Sequence, residues 1–132
     1  MPELREARFE MPWLPPAILR GNSRAGWRAR QGPIRMMRRT TEYETREWLI
    51  ANGGALIGRV AVQYEFHTPS ASRCDPDNFI IGMKSWLDGV RDSGLIAGDS
   101  SKHVTLAAPR FVSCKRGEEH TIVTITENEV RT

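Results

Sequence analysis

The sequence predicts an α+β fold in which a mixed or antiparallel sheet of about four to five strands packs with two main helices. Two runs of alternating apolar and polar residues, 60–66 and 121–126, indicate strands, and two longer stretches have apolar residues at helical spacing. No repeating strand–helix–strand order is visible. At 132 residues the chain is expected to form a single domain with its own core.

The N-terminal part of the chain predicts a strand, a loop and a helix in that order. Phe9, Met11 and Trp13 alternate with polar residues and prolines, which indicates a short edge strand ended by the prolines. The segment 20–32 is rich in Gly and Arg and predicts a mobile basic loop, in which Trp27 could stack on a base or anchor the loop. From Pro33 the apolar spacing predicts a helix that ends near residues 52–54.

The second half predicts a strand, a helix and several further strands. After strand 60–66, the run Asp75-Pro76-Asp77-Asn78 is typical of a helix start, and the helix continues to about Asp88. On a helical wheel Asp77, Lys84 and Asp88 share a polar stripe, while a separate face is apolar and predicted to enter the core: Phe79, Ile80, Met83, Trp86, Leu87 and Val90. Strand pieces at 104–106 and 111–114 flank Pro109, and a turn at 115–119 leads into the last strand.

Charge and cysteine content indicate the kind of partner and the cellular compartment of the protein. The net charge is +3, yet seven arginines fall in residues 20–39 without an acid among them. A localised arginine surface is the usual footprint of a phosphate-backbone binder, although an acidic membrane or protein would attract it too. Two cysteines and no secretory or membrane-spanning segment predict a soluble cytoplasmic protein.

Three acids and a lysine carry the most specific chemical signal. Asp75, Asp77 and Asp99, with Lys84, predict a metal-dependent phosphodiesterase site, because Mg²⁺ prefers carboxylate oxygens and keeps positions for water and phosphate. The alternative is that the first two acids cap a helix while Lys84 and Asp88 form a surface pair. An EF-hand is excluded because Phe79 and Ile80 occupy positions that need a ligand and a glycine.

At these residues the chain resembles the RusA family of Holliday-junction resolvases, which are encoded by bacteria and phages. The resemblance covers most of the chain and is strongest between Arg73 and Val104. It rests on the following residues: Arg73-Cys74-Asp75-Pro76-Asp77-Asn78, Lys84, Leu87-Asp88-Gly89, Ser93-Gly94-Leu95-Ile96 and Asp99-Ser100-Ser101-Lys102-His103-Val104.

The resemblance implies a RusA-like homodimer that needs Mg²⁺, with Mn²⁺ as a substitute, and resolves four-way DNA junctions by paired nicks in recombination and repair. It implies that Asp75, Asp77 and Asp99 bind the metal and that Lys84 stabilises charge on the scissile phosphate. Two positions differ from the family pattern. Lys84 follows Asp77 by seven residues where some relatives have four, and Gly98 stands where many relatives carry another aspartate.

The leading hypothesis is therefore a Mg²⁺-dependent endonuclease that acts on branched DNA. Four arginines are predicted to contact phosphates: Arg24, Arg28, Arg30 and Arg73. A non-catalytic module that binds DNA or RNA is the alternative, and a dimer that only bridges other proteins is a third class. Cys74 and Cys114 are expected to be free thiols, and His103 to be structural or to contact phosphate.

Overall fold

The computed structural model describes residues 4–128. It confirms an α+β fold, a mixed five-stranded sheet packed with two main helices. The strands are β1 (Glu6–Met11), β2 (Val60–Thr68), β3 (Val104–Leu106), β4 (Arg110–Ser113) and β5 (His120–Glu127). The helices are α1 (Trp27–Ala51), α2 (Pro76–Gly82) and α3 (Lys84–Ser93), with single 3-10 turns at Ala17–Leu19 and Ala71–Arg73.

The strand β2 organises the sheet. It pairs antiparallel with β5, which pairs antiparallel with β1, so that β1 is the predicted edge strand. On its other side β2 pairs parallel with two short strands, β3 along residues 60–62 and β4 along residues 65–68. A parallel pair needs a crossover connection, and α2 and α3 provide the one between β2 and β3.

The core lies between one face of the sheet and the helices. Alternate residues of β2 are buried there, among them Tyr64 and Phe66. The apolar face predicted for residues 79–90 packs against them: Phe79, Met83, Trp86, Leu87 and Val90 are buried and Ile80 is partly buried. Aromatic rings meet edge to face across this layer, with the Phe66 and Phe79 centroids 5.0 Å apart.

The helix α1 begins at Trp27, six residues before Pro33, so residues 27–32 of the predicted loop are helical. Pro33 has no N–H to donate within the helix, yet the helix continues through this residue. It lines a groove of about 520 Å³ together with Trp13, Pro16 and Met37. None of the helices within residues 4–128 is both long and apolar enough to cross a membrane.

The helix predicted from Asp77 to Asp88 is two helices that meet at Met83. The buried residue Gly82 precedes this break, and a Cβ atom there would lie 2.7 Å from Cβ of Pro15. The N-terminal segment thus packs directly on the backbone at the end of α2. Consequently Asp77 belongs to α2 while Lys84 and Asp88 belong to α3, and one helical wheel does not relate them.

The helices α1 and α3 approach each other most closely at Gly89. A Cβ atom on Gly89 would lie 2.6 Å from the carbonyl oxygen of Arg38 and 2.7 Å from Cβ of Thr41. Both contacts involve atoms that cannot swing aside as a long side-chain end can. The absence of a side chain at position 89 is therefore what allows this helix packing.

We expect Gly89→Ala to lower the free energy of unfolding by about 2 kcal/mol, because the added methyl group forces the helices apart. Urea denaturation measures the change. Gly32→Ala on α1 is the matched control, since no atom lies within 4 Å of the position that its added methyl group would take. We expect this control to raise stability by up to about 1 kcal/mol through helix propensity. Similar effects of the two substitutions would contradict this helix packing.

Candidate active site and nucleic-acid surface

The acids Asp75 and Asp77 lie at the start of α2, as predicted. Asp75 is the N-cap in an extended conformation, and its Oδ1 accepts a hydrogen bond of 3.0 Å from the Asp77 backbone N–H. Pro76 occupies the first turn, where its missing N–H costs nothing. Both carboxylates are exposed, so capping leaves oxygen atoms accessible to a further ligand.

The start of the basic segment is fastened to α2. The Gly21 N–H donates a 3.3 Å hydrogen bond to the carbonyl oxygen of Asn78. The guanidinium of Arg20 lies 4.4 Å from the ring centroid of Phe79, a cation–π contact, and its Nε donates to the carbonyl oxygen of Pro15. The chain therefore enters the arginine-rich segment directly beside α2, whose first turn contains Asp77.

A cluster of opposite charges joins α3 to the segment that follows it. Arg91 donates a 2.8 Å hydrogen bond from Nη1 to Oδ2 of Asp99. The same Nη1 lies 3.6 Å from Oδ1 of Asp88, and Nζ of Lys84 lies 3.7 Å from that oxygen. The guanidinium of Arg91 thus connects Asp88 to Asp99. We call these four residues the acid-pair cluster.

The two carboxyl groups of the acid-pair cluster have opposite pKa shifts. Burial, followed by the hydrogen bond to Asp99, raises the pKa of Asp88 although Lys84 and Arg91 oppose the rise. The hydrogen bond from Asp88, together with Arg91, lowers the pKa of Asp99 against the effect of partial burial. The two carboxyl groups therefore titrate as a pair, with Asp88 the weaker acid of the two.

A second ion pair holds α3 against α1. Arg38 donates two hydrogen bonds to Asp92, from Nε at 2.5 Å and from Nη2 at 3.1 Å. These bonds from Arg38 lower the pKa of Asp92, with Arg91 adding to the effect and burial opposing it. The pair fixes the orientation of α1 relative to the acid-pair cluster.

Replacing Asp92 with asparagine removes this ion pair and is expected to lower the free energy of unfolding at neutral pH. The decrease should be only about 1 kcal/mol, because the pair is partly exposed and solvent screens it. A lowered pKa stabilises the fold above the unfolded carboxyl value of about 3.9 and ceases to do so as the pH falls through the folded pKa. The variant should therefore lose stability less steeply than wild type below about pH 4. Urea denaturation at several pH values measures both effects. Glu42→Gln, which removes an exposed i,i+4 pair with Arg46, is the control expected to change stability by less than about 0.5 kcal/mol.

The structure brings some of the predicted site residues together and keeps others apart. Asp99 and Lys84 both contact Asp88, whereas Asp75 and Asp77 form no hydrogen bond or ion pair with Asp99. Across residues 4–128 no three Asp, Glu, His or Cys side chains are grouped so as to hold a metal ion. The predicted set of three metal-binding carboxylates is thus not assembled in this conformation.

Topology explains the separation. The helix α2 follows the C-terminal end of β2, whereas Asp99 precedes β3, whose first residue pairs with Val60 at the N-terminal end of β2. A strand of nine residues is about 26 Å long. The polypeptide between these two ends, α2 and α3, carries Asp88 back towards Asp99.

Asp88 is the site residue that the sequence interpretation leaves out. That interpretation assigns it to a surface pair with Lys84, and the pair does form. Its side chain is nevertheless only 15% exposed, while that of Lys84 is 74% exposed. The sequence feature that could have identified Asp88 is its position on the same polar stripe as Lys84, next to the buried Leu87.

The four predicted DNA-contacting arginines differ in exposure. Arg24, Arg28 and Arg73 are exposed, and Arg73 ends the 3-10 turn just before the α2 cap. Arg30 is half-buried, and its Nε is buried without a hydrogen-bond partner among residues 4–128. The first turn of α1 contains no acid. Three of the four side chains are therefore free to meet phosphate.

The three histidines lie at two places. His103 packs against Gly98, where a Cβ atom would lie 2.5 Å from Cδ2 of the imidazole. A side chain at position 98 would therefore require this ring to move. His67 and His120 stack with ring centroids 4.0 Å apart on β2 and β5, and His67 also bonds to Glu65.

Comparison with known proteins gives no assignment: no protein-family model and no curated protein matches this chain.

Proposed function

We propose that this chain is a Mg²⁺-dependent, structure-selective endodeoxyribonuclease that resolves four-way DNA junctions as a homodimer. The observation that supports it most is the acid-pair cluster, in which Arg91 contacts both Asp88 and Asp99 and Lys84 lies beside Asp88. This pair lies within the stretch on which the resemblance to the RusA family rests. Its two acids come from different elements, as a phosphodiester site requires.

The donor set of the acid-pair cluster suits a hard divalent cation. Mg²⁺ is usually bound through one or two carboxylates and completes its shell with waters and phosphates. Asp88 and Asp99 would hold the ion in their deprotonated forms, as metal ligands must. Asp75 and Asp77 stay proposed as ligands, as the resemblance implies, and would reach the same ion only in a DNA-bound conformation that brings the start of α2 to Asp99. When bound, the ion supplies positive charge for the phosphate and lowers the pKa of an attacking water.

The neighbouring side chains have distinct roles in this proposal. Arg91 donates to Asp99 and so holds its carboxylate in place and ionised. Lys84 is largely exposed and can donate to a phosphate oxygen as negative charge develops there. The exposed arginines would contact the DNA backbone and fix its position without reading its sequence.

A homodimer suits a four-way junction because twofold symmetry presents two identical sites. Each site would make one of the two related nicks. With a single 132-residue chain per site, the second copy also provides the area needed to span a branched substrate.

Wild type and Asp77→Asn are compared on a synthetic four-way junction, with and without Mg²⁺. We expect paired nicks only from wild type with Mg²⁺, and at least about a hundredfold slower cleavage by the variant. Glu118→Gln, an acid in the exposed turn at 115–119, is the control that should cleave normally. Wild type that binds the junction but leaves it intact under every divalent ion would contradict the proposal.

A non-catalytic DNA- or RNA-binding module is the second candidate. It is favoured by one observation: Asp75 already has a structural role as the cap of α2. In that case the acids would serve the fold alone, and their replacement would change stability and leave binding unaltered.

A further inference from the structure

Trp27 is the most exposed large apolar residue of the described chain, with 74% of its surface accessible. Its side chain forms no hydrogen bond, ion pair or ring contact with any residue between 4 and 128. It therefore does not anchor the segment in which it lies. An indole left in water usually marks a surface that meets a ligand or partner.

The position of Trp27 on α1 is unusual. Thr45 lies 18 residues later, which is five full helical turns, so the two residues point to the same side of the helix. Thr45 is buried. The side of α1 that packs on the protein therefore continues past the edge of the core to Trp27, where nothing among residues 4–128 covers it.

This uncovered end of α1 projects beyond the acid-pair cluster. The helices α1 and α3 run antiparallel, because Arg38 pairs with Asp92 while Thr41 contacts Gly89. The part of α1 before Arg38 thus extends past the C-terminal end of α3, from which the chain leads to Asp99. Trp27 lies 11 residues before Arg38, or about 16 Å along the helix.

The charge around Trp27 favours a nucleic acid over a protein or a membrane insertion site. Arg24 and Arg28 flank it and are exposed, and no acid occurs between residues 20 and 41. Basic side chains that follow a phosphate backbone, interleaved with an aromatic ring on which a base stacks, are the usual elements of single-strand binding.

We propose that Trp27 stacks on a base at the branch point of the DNA, where the stacking of neighbouring base pairs is interrupted, and thereby sets the preference of this protein for branched over linear DNA. The inference rests on the proposed function and identifies a specificity-determining residue for it. Bases within a duplex are already stacked on both faces, whereas a base at a branch or gap can stack on the indole at little cost. Cleavage chemistry does not require Trp27.

The test measures binding without metal to a four-way junction and to a linear duplex, each carrying 2-aminopurine. Trp27→Ala and Trp27→Leu remove the ring, Trp27→Phe keeps an aromatic ring, and Tyr43→Ala is the control. Tyr43 is 68% exposed on the same helix but outside the arginine run. We expect the Ala and Leu variants to bind the junction about tenfold more weakly and to lose the fluorescence change of a branch-point base. Duplex binding, the Phe variant and the control should stay close to wild type.

Equal weakening on both substrates, or unchanged junction binding by the Ala and Leu variants, would overturn the inference. So would a wild type that binds no DNA, as expected if the indole docks on a protein. If wild type shows the branch-point signal but cuts under no divalent ion, the nuclease proposal fails while the role of Trp27 stands. Thermal unfolding of each variant verifies that the surface substitution leaves the fold intact.

Discussion

Asp88→Asn is expected to slow junction cleavage by about 10- to 100-fold, while Asp92→Asn, one turn further along α3, changes it by less than about threefold. Both variants remove one negative charge from the same helix. They differ because Asp88 belongs to the acid-pair cluster with Asp99, whereas Asp92 pairs with Arg38. Single-turnover cleavage at saturating enzyme measures the difference.

The same carboxyl pair predicts how cleavage depends on pH. Since the pKa of Asp88 is raised and metal ligands must be deprotonated, metal affinity should increase as the pH rises through that pKa. In Asp88→Asn this dependence should be lost along with most of the activity. Equal cleavage by wild type and Asp88→Asn would show that the pair has no part in the chemistry.

Replacing Arg24 and Arg28 together with alanine is expected to weaken junction binding about tenfold or more at roughly 0.1 M salt. If each side chain neutralises one phosphate, the slope of log affinity against log salt should fall by about 0.9 per arginine. Binding titrations at several salt concentrations give both values. The loss should apply equally to junction and duplex, since phosphate contacts carry no structural preference.

The matched control is Arg8→Ala with Arg116→Ala, which removes the same charge from exposed positions on β1 and in the turn at 115–119. Its salt slope should equal that of wild type. An equal decrease in both double variants would mean that only net charge attracts the DNA and that the α1 end is not the interface.

The sequence predicted most of the fold because its strands and helices carry strong periodic patterns. Burial determines the alternation of apolar residues in β2 and β5 and the apolar face of residues 79–90. The structure buries the residues that these patterns predict to be buried. The helix boundaries were less accurate. Pro33 is a strong local signal for a helix start, and its packing near Trp13 is a tertiary effect that no local pattern reports.

The candidate site was predictable only in part, because tertiary contacts that no local pattern reports also determine it. Asp75 and Asp77 follow local capping rules, so their placement at the start of α2 could be predicted. Which acid Asp99 meets depends on where α3 ends and where β3 joins β2, and neither is visible in a local pattern. The break at Met83 also separates Asp77 from Asp88, which one continuous helix would have related.

The central claim is that the acid-pair cluster binds the divalent cation used for cleavage. A crystal of wild type grown with Mn²⁺ and measured at an anomalous wavelength tests it most directly. We expect an anomalous peak bonded to Asp99, with Asp88 beside it and Arg91 still donating to the pair. Crystals at saturating Mn²⁺ in which Asp88 and Asp99 contact only Arg91 and Lys84, with no anomalous peak at either carboxylate, would contradict it.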